Sequence, residues 1–224
     1  QRARSQPTVA MGTLFVGSQD GTVYALDAKS GCVRWTYRAS AEVRTPIVLS
    51  HRDTPAMRAA PPLALFGDII GRAYAVNAAT GKLLWKSAVD EHATTTITGA
   101  PAYHAGRVYV PVSSLEEAAA AGGYECCTFR GSVVAFDART GRQLWKRYTI
   151  DEAPAQVGTT KTGLRVFAPS GAAVWNSPTI DPKRGVLYVG TGDNYSEPTN
   201  ERSDAVIAMD LKTGEIRWSH QVFA

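Results

Sequence analysis

Gly21-Thr22-Val23-Tyr24-Ala25-Leu26-Asp27-Ala28-Lys29-Ser30-Gly31-Cys32-Val33-Arg34-Trp35 is the stretch that decides the fold. Val23, Ala25 and Asp27 alternate with Tyr24 and Leu26, the period of two that marks a strand. Asp27-Ala28-Lys29-Ser30-Gly31 then supplies a tight turn, because an Asp carboxylate can cap turn amides and Gly can take positive φ. The next strand carries Trp35, a large apolar plate whose indole N–H needs a partner when buried. A meander of this kind cannot bury both of its faces alone.

The pattern occurs four times. Each copy opens with an apolar strand: Gly12–Gly17, Leu63–Asp68, Gly106–Val110 and Gly185–Gly190. A second strand follows and ends at Asp27, Asn77, Asp137 or Asp210. The turn glycines are Gly31, Gly81, Gly141 and Gly214, and a Trp stands four residues after each: Trp35, Trp85, Trp145 and Trp218. Only one tryptophan, Trp175, lies outside this scheme. Meanders that repeat like this bury their faces by stacking sheet on sheet around an axis, as four-stranded antiparallel blades. The expected fold is therefore all-β, a β-propeller, with one domain over residues 1–224 and repeats at roughly 8–37, 43–87, 94–148 and 175–220. Thr45–Ser50, Thr96–Tyr103 and Ser177–Asp181 are the expected extra strands of the second, third and fourth blades. Two long loops, Ser114–Arg130 and Thr149–Val174, exceed what a blade needs, and long loops in compact domains are often functional. Four blades make about half of an eight-bladed ring, so the remaining blades are an expected partner.

Composition narrows the function. The net charge is +4, but the basic residues are scattered and never run beyond a pair, which argues against a nucleic-acid partner. No apolar stretch approaches the roughly 18 residues of a membrane helix. No secretory signal is visible; residue 1 is Gln, as expected if a signal has been removed or the segment is internal. Cys32, Cys126 and Cys127 form no haem-attachment motif. Adjacent Cα atoms lie about 3.8 Å apart, under the usual disulfide span of about 4.4 Å or more, so a Cys126–Cys127 bond would close a strained ring.

The Asp-x-x-[Ser/Thr]-Gly-x-x-x-Trp blade resembles that of the PQQ-dependent (quinoprotein) alcohol dehydrogenases, and also that of related propellers that assist outer-membrane assembly. The loops resemble the enzyme branch, and within it the polyvinyl-alcohol dehydrogenases. The segments concerned are Ser30–Trp35, Val43-Arg44-Thr45, Val110–Ser114, Tyr124–Ser132, Trp175–Thr179 and Gly190–Asn194. The Cys126-Cys127-Thr128-Phe129-Arg130-Gly131 string is the most specific.

That resemblance implies a cofactor, pyrroloquinoline quinone (PQQ), a flat tricycle with three carboxylates and an ortho-quinone, held beside Ca2+. Trp175 matches the family's stacking Trp, and it precedes Asp193 by 18 residues, the family's spacing to a calcium ligand. Asp193 stands where the family usually has Asn; Asp is a harder oxygen donor and suits calcium. A carboxylate after a Ser pair is the other implied ligand. Ungapped matching gives Glu117, with Glu116 the alternative. Arg44 matches a fork of donors for a cofactor carboxylate. Thr98 matches a hydroxyl donor, and Ser113 and Ser114 add further contacts. Cys126 and Cys127 match a vicinal disulfide that packs on the quinone. In relatives, however, that pair sits just before the residue matching Arg44, whereas here it lies in the third-repeat insertion. A disulfide implies an oxidising compartment, and the resemblance implies the periplasm.

The implied reaction is oxidation of an alcohol or polyol with electrons passed to a c-type cytochrome. The family's base is an Asp expected just past Ala224, so no catalytic residue is assigned in this chain; Asp151 and Asp204 match no motif. The other reading is a non-catalytic propeller scaffold for protein partners in the cell envelope.

Overall fold

The computed structural model describes residues 2–50, 60–121 and 123–223. Residues 51–59, within the second repeat, lie outside the described residues. Four antiparallel meanders appear in chain order. The first is β1 (Thr8–Ala10), β2 (Thr13–Gly17), β3 (Thr22–Asp27) and β4 (Val33–Arg38). The second is β5 (Val48–Leu49), β6 (Leu63–Gly67), β7 (Arg72–Asn77) and β8 (Leu83–Ala88). The third has β10 (Ala102–His104), β11 (Arg107–Ser114), β12 (Ser132–Asp137) and β13 (Gln143–Tyr148), with β9 (Thr95–Thr96) paired to the end of β11. The fourth is β16 (Thr179–Asp181), β17 (Val186–Gly190), β18 (Ala205–Asp210) and β19 (Ile216–Gln221).

One expected strand divides. Thr96–Tyr103 is not one strand: Thr95–Thr96 pairs with Ser113 and Ser114, and a break precedes Ala102–His104. Pro101 lacks an N–H and cannot carry a ladder through that break. The long loops are also structured. The first contains a short helix, α1 (Glu116–Ala120), and the second a hairpin, β14 (Ala155–Thr159) with β15 (Arg165–Ala168).

The core lies between blades. One cluster joins Phe15, Val23, Ala25 and Trp35 to Ala64, Phe66, Tyr74 and Val76 of the second blade. A second joins Leu63, Leu65 and Trp85 to Val108, Val134 and Phe136 of the third. A third joins Tyr109, Val133 and Ala135 to Leu187, Val189, Ile207 and Met209 of the fourth. Blades covered on both faces therefore have strands buried at every residue, as in β6, whereas β2 alternates.

The repeat motif makes the joint. Ala25, Ala75, Ala135 and Ala208 lie directly opposite the four tryptophans, and a register shift follows each. The small Ala leaves room for the indole, which reaches the next blade. Trp35 Nε1 donates to Ala78 O at 3.0 Å, and Trp85 Nε1 to Ala138 O at 2.8 Å. At the third joint Leu211 O accepts instead from the Tyr109 hydroxyl, at 3.1 Å. The indole faces cover Gly81, Gly141 and Gly214, where a Cβ would come within 2.6–2.7 Å of ring atoms. The turns are capped as their sequence requires: Asp137 Oδ1 accepts from the amides of Arg139 and Thr140. In the last turn the Arg217 guanidinium, donating to Asp210, holds that carboxyl down to about 2.

Gly141 has φ +69° and faces Trp85, whereas Gly106 has φ +80° with nothing within 4 Å of a built Cβ. Gly106→Ala should cost only the strain of positive φ, about 1 kcal/mol. Gly141→Ala adds overpacking and should cost about 2–4 kcal/mol. Paired denaturant melts check the difference, and equal losses would show that the indole does not need that glycine.

Candidate functional site

A cleft of about 300 Å³ opens where the third and fourth blades meet. It receives residues from four segments: Thr96 and Thr98 from the entry to the third blade, Ser113, Ser114, Leu115 and Glu117 from the end of β11 and α1, Trp175 ahead of the fourth blade, and Asp193 and Tyr195 after β17.

Sheet register explains the convergence. Val48 pairs with Leu65, Ala102 with Tyr109, and Thr179 with Tyr188. Arg44, Thr98 and Trp175 each stand four residues before those anchors, so they are equivalent positions in successive blades. Each follows a fully buried residue: Val43, Ile97 or Val174. The next side chain clamps the adjoining strand in two of the three: Thr45 bonds Gly67, and Asn176 bonds Gly190 through both its amide groups. In the first blade the same register gives Arg4, followed by Ser5 bonded to Gly17 N at 2.7 Å.

Hydroxyls line one wall. Ser113 Oγ lies 2.8 Å from Thr96 Oγ1 and 3.1 Å from Thr98 Oγ1. Ser114 Oγ lies 2.7 Å from Thr94 Oγ1 and accepts the Glu116 amide. The opposite wall is the Trp175 indole, 62% exposed, in contrast to Trp35 and Trp85 at 9% and 8%. Trp175 is thus an open plate and not a core residue. Gly192 sits against it, since a Cβ there would lie 2.8 Å from Trp175 Nε1.

The two adjacent glutamates take different parts. Glu116 is fully buried. Its carboxylate accepts the amides of Thr128 and Phe129, each at 2.8 Å, and lies 3.5 Å from His92 Nε2. Burial pushes its pKa up, but the hydrogen bonds from His92, Thr128 and Phe129 outweigh burial and hold it below the usual range. Glu117, the next residue on α1, is exposed and lines the cleft. Among the described residues neither the Glu117 nor the Asp193 carboxylate has a hydrogen-bond or ion-pair partner. No group of three or more His, Cys, Asp or Glu that could hold a metal occurs among the described residues.

Arg44, Cys126 and Cys127 are not among the cleft's lining residues. Arg44 Nε lies 3.1 Å from Glu42 Oε1, and Arg4 shares that carboxylate at 3.3 Å. Cys126 and Cys127 are joined as a disulfide. Cys126 bridges to Val166 of β15, so the pair belongs to the junction of the two long inserts. Cys126 lines a neighbouring cleft, and Tyr195 lines both. Tyr195 and His92 were not singled out by the sequence, and Glu116, the alternative calcium ligand, is instead committed to His92, Thr128 and Phe129. Burial, then the charges of Glu117, Glu116 and Asp193, push the Tyr195 phenol well above its usual value, so it stays protonated.

The hydroxyl wall, the open indole and the free carboxylates, set in blades joined by Trp-on-Gly contacts, define a class, the quinoprotein dehydrogenase propellers. The chain belongs to that family: residues 1–224 match the model described as "PQQ: Glucose/ethanol/alcohol dehydrogenase, beta-propeller domain". It is 45% identical over 218 residues to a polyvinylalcohol dehydrogenase of a Pseudomonas species, covering 97% of this chain and 34% of that protein. It is 43% identical over 220 residues to the polyvinylalcohol dehydrogenase of Sphingopyxis sp. (strain 113P3), covering 98% and 33%. The chain thus spans about a third of the length of these relatives. Among solved structures, quinohemoprotein alcohol dehydrogenase ADHIIG of Pseudomonas putida HK5 superposes with a TM-score of 0.74 at 23% identity, over 99% of this chain and 34% of that one. That likeness carries the fold.

Glu116→Gln removes the charged acceptor from the amides of Thr128 and the buried Phe129 and should destabilise the protein by about 2–3 kcal/mol at neutral pH. Because the folded pKa of Glu116 is depressed, its contribution is full above the unfolded value of about 4.3. It is lost as pH falls through the folded value. The unsubstituted protein should therefore lose stability below about pH 4 more steeply than Glu116→Gln, in thermal melts across pH. Parallel curves would rule out this role.

Proposed function

We propose that this chain supplies the quinone-holding face of a PQQ-dependent alcohol dehydrogenase that oxidises alcohol or polyol groups, with polyvinyl alcohol the leading candidate. The observation that carries this reading is the single cleft into which Thr98, Ser113, Ser114, Glu117, Trp175 and Asp193 converge.

The residues fit the cofactor's chemistry. Trp175 offers an exposed π-face for a planar ring, and stacking of this kind suits an aromatic pair. Thr98 and Ser113 present hydroxyls to polar edges of the ring. Arg44 would serve a cofactor carboxylate on turning from Glu42, which is its partner in the free chain. Glu117 and Asp193 would hold calcium as two hard oxygen donors, leaving the rest of a six- to eight-oxygen shell to other groups. Tyr195, which lines the cleft with both carboxylates, adds a phenol hydroxyl to it. When bound, PQQ would supply the two-electron acceptor for oxidation of the alcohol carbon to a carbonyl. The hydroxyl proton must leave to a base; Asp151 is not among the cleft's lining residues and is paired with Arg147 and Arg202. The electrons then pass to a c-type cytochrome, as the family resemblance implies. The Cys126–Cys127 disulfide supports a periplasmic setting, where such bonds persist.

Titrating the full-length protein with PQQ and calcium tests the proposal. Trp175→Ala should weaken quinone binding about tenfold or more, corresponding to loss of a stacking contact of about 1.4 kcal/mol. Asp193→Ala and Glu117→Ala should each weaken calcium binding and leave the fold intact. Absence of a quinone spectrum and of alcohol-dependent dye reduction in the unsubstituted protein would overturn the reading.

A further inference from the structure

Behind Tyr195 lies a second cleft, of about 280 Å³. It is built almost wholly from the two inserts that the blades do not need. The inserts are fastened to each other: Cys127 N donates to Phe167 O, Phe167 N donates to Cys126 O, and Arg165 makes a bidentate pair with Glu125 at 2.9 and 2.6 Å. The hairpin β14–β15 thereby becomes a fixed wall beside α1 and not a free flap.

The lining defines what can lie there. Leu164 and Val166 of the hairpin, the ring of Tyr124 and the sulfur of Cys126 make it mostly apolar. Thr160 and Ser196 add hydroxyls. Its one cation, Arg165, is neutralised by Glu125, so the cleft attracts neither anions nor cations. A neutral chain with an aliphatic backbone and intermittent hydroxyls matches all three properties. The two clefts adjoin at one residue, Tyr195, which lines both.

We propose that this second cleft is a subsite for the aliphatic backbone of a chain-like alcohol whose reacting hydroxyl sits in the first cleft. The inference rests on the dehydrogenase reading for the identity of the reaction, but not for the binding itself. Tyr195 is the positioning residue between the two compartments. Lining both clefts, its hydroxyl can hold a hydroxyl of the chain at the threshold.

Leu164 tests this, since it lies at the base of the hairpin's outer turn and is not among the first cleft's lining residues. In the full-length protein loaded with PQQ and calcium, Leu164→Arg should raise KM about tenfold for an oligomer of vinyl alcohol, the loss of one buried apolar contact of about 1.4 kcal/mol. KM and kcat for 2-butanol should not change. Leu164→Ala should give a smaller shift in the same direction. Calorimetric titration with the oligomer, without turnover, should show the same ranking. Unchanged oligomer binding, or equal losses on both alcohols, would overturn the subsite. If the unsubstituted protein oxidises neither alcohol, the dehydrogenase reading fails, and the titration still decides the subsite. Binding lost in Leu164→Arg supports it, and no binding to the unsubstituted protein rejects it.

Discussion

The contact between an indole and the turn glycine of the following blade is what the rest of the molecule depends on. A four-stranded meander has two apolar faces and cannot hide them within itself. Trp35, Trp85 and Trp145 each close one face by crossing to the next blade, where Gly81, Gly141 and Gly214 offer a surface with no Cβ in the way. The facing Ala in each sheet makes space on the near side. Directional N–H bonds to Ala78 O and Ala138 O then fix the angle between neighbours, which burial alone would leave loose.

That fixed angle is what gives the cleft its walls. The third and fourth blades share a core of Tyr109, Val133, Leu187, Ile207 and Met209, so the segments ahead of and behind them cannot drift apart. Thr149 tightens the same seam by donating to the carbonyl of Gly131, with Ala172 O at the same 2.9 Å. Register then does the remaining work. Residues four positions ahead of each anchoring pair fall at equivalent places in successive blades, and two of them, Thr98 and Trp175, from distant stretches, line one cleft. A rigid frame presenting variable side chains at one register position is an economical way to build a site for a large planar ligand.

The fold was legible because its signals are local. The Asp-to-Gly-to-Trp spacing is short and repeats, and each residue in it performs in the structure the task its chemistry suggests. The hydroxyl wall, Trp175 and Asp193 were also within reach, since each flanks a strand end. What could not be read was which way neighbouring residues face. Glu116 and Glu117 are adjacent and chemically alike. A single step along α1 sends one into a buried network with His92, Thr128 and Phe129 and leaves the other in the cleft. Arg44 was read as waiting for an anion, yet Glu42, two residues earlier, supplies one. The position of the Cys126–Cys127 pair depended on a pairing between two loops about forty residues apart, and spacing carries no trace of such a pairing. Tyr195 follows Asp193 by two residues and gave no motif of its own, although its place between two compartments makes it conspicuous in the structure.

Each joint is divided between two repeats: the indole belongs to one and the bare turn to the next. A duplicated stretch of gene encoding one repeat would therefore arrive already carrying a donor half and an acceptor half. It could enter the series without any new interface having to be invented. Growth of such a protein by copying is constrained less by packing than by ring geometry, and its long inserts, which take no part in the joints, are left free to diverge.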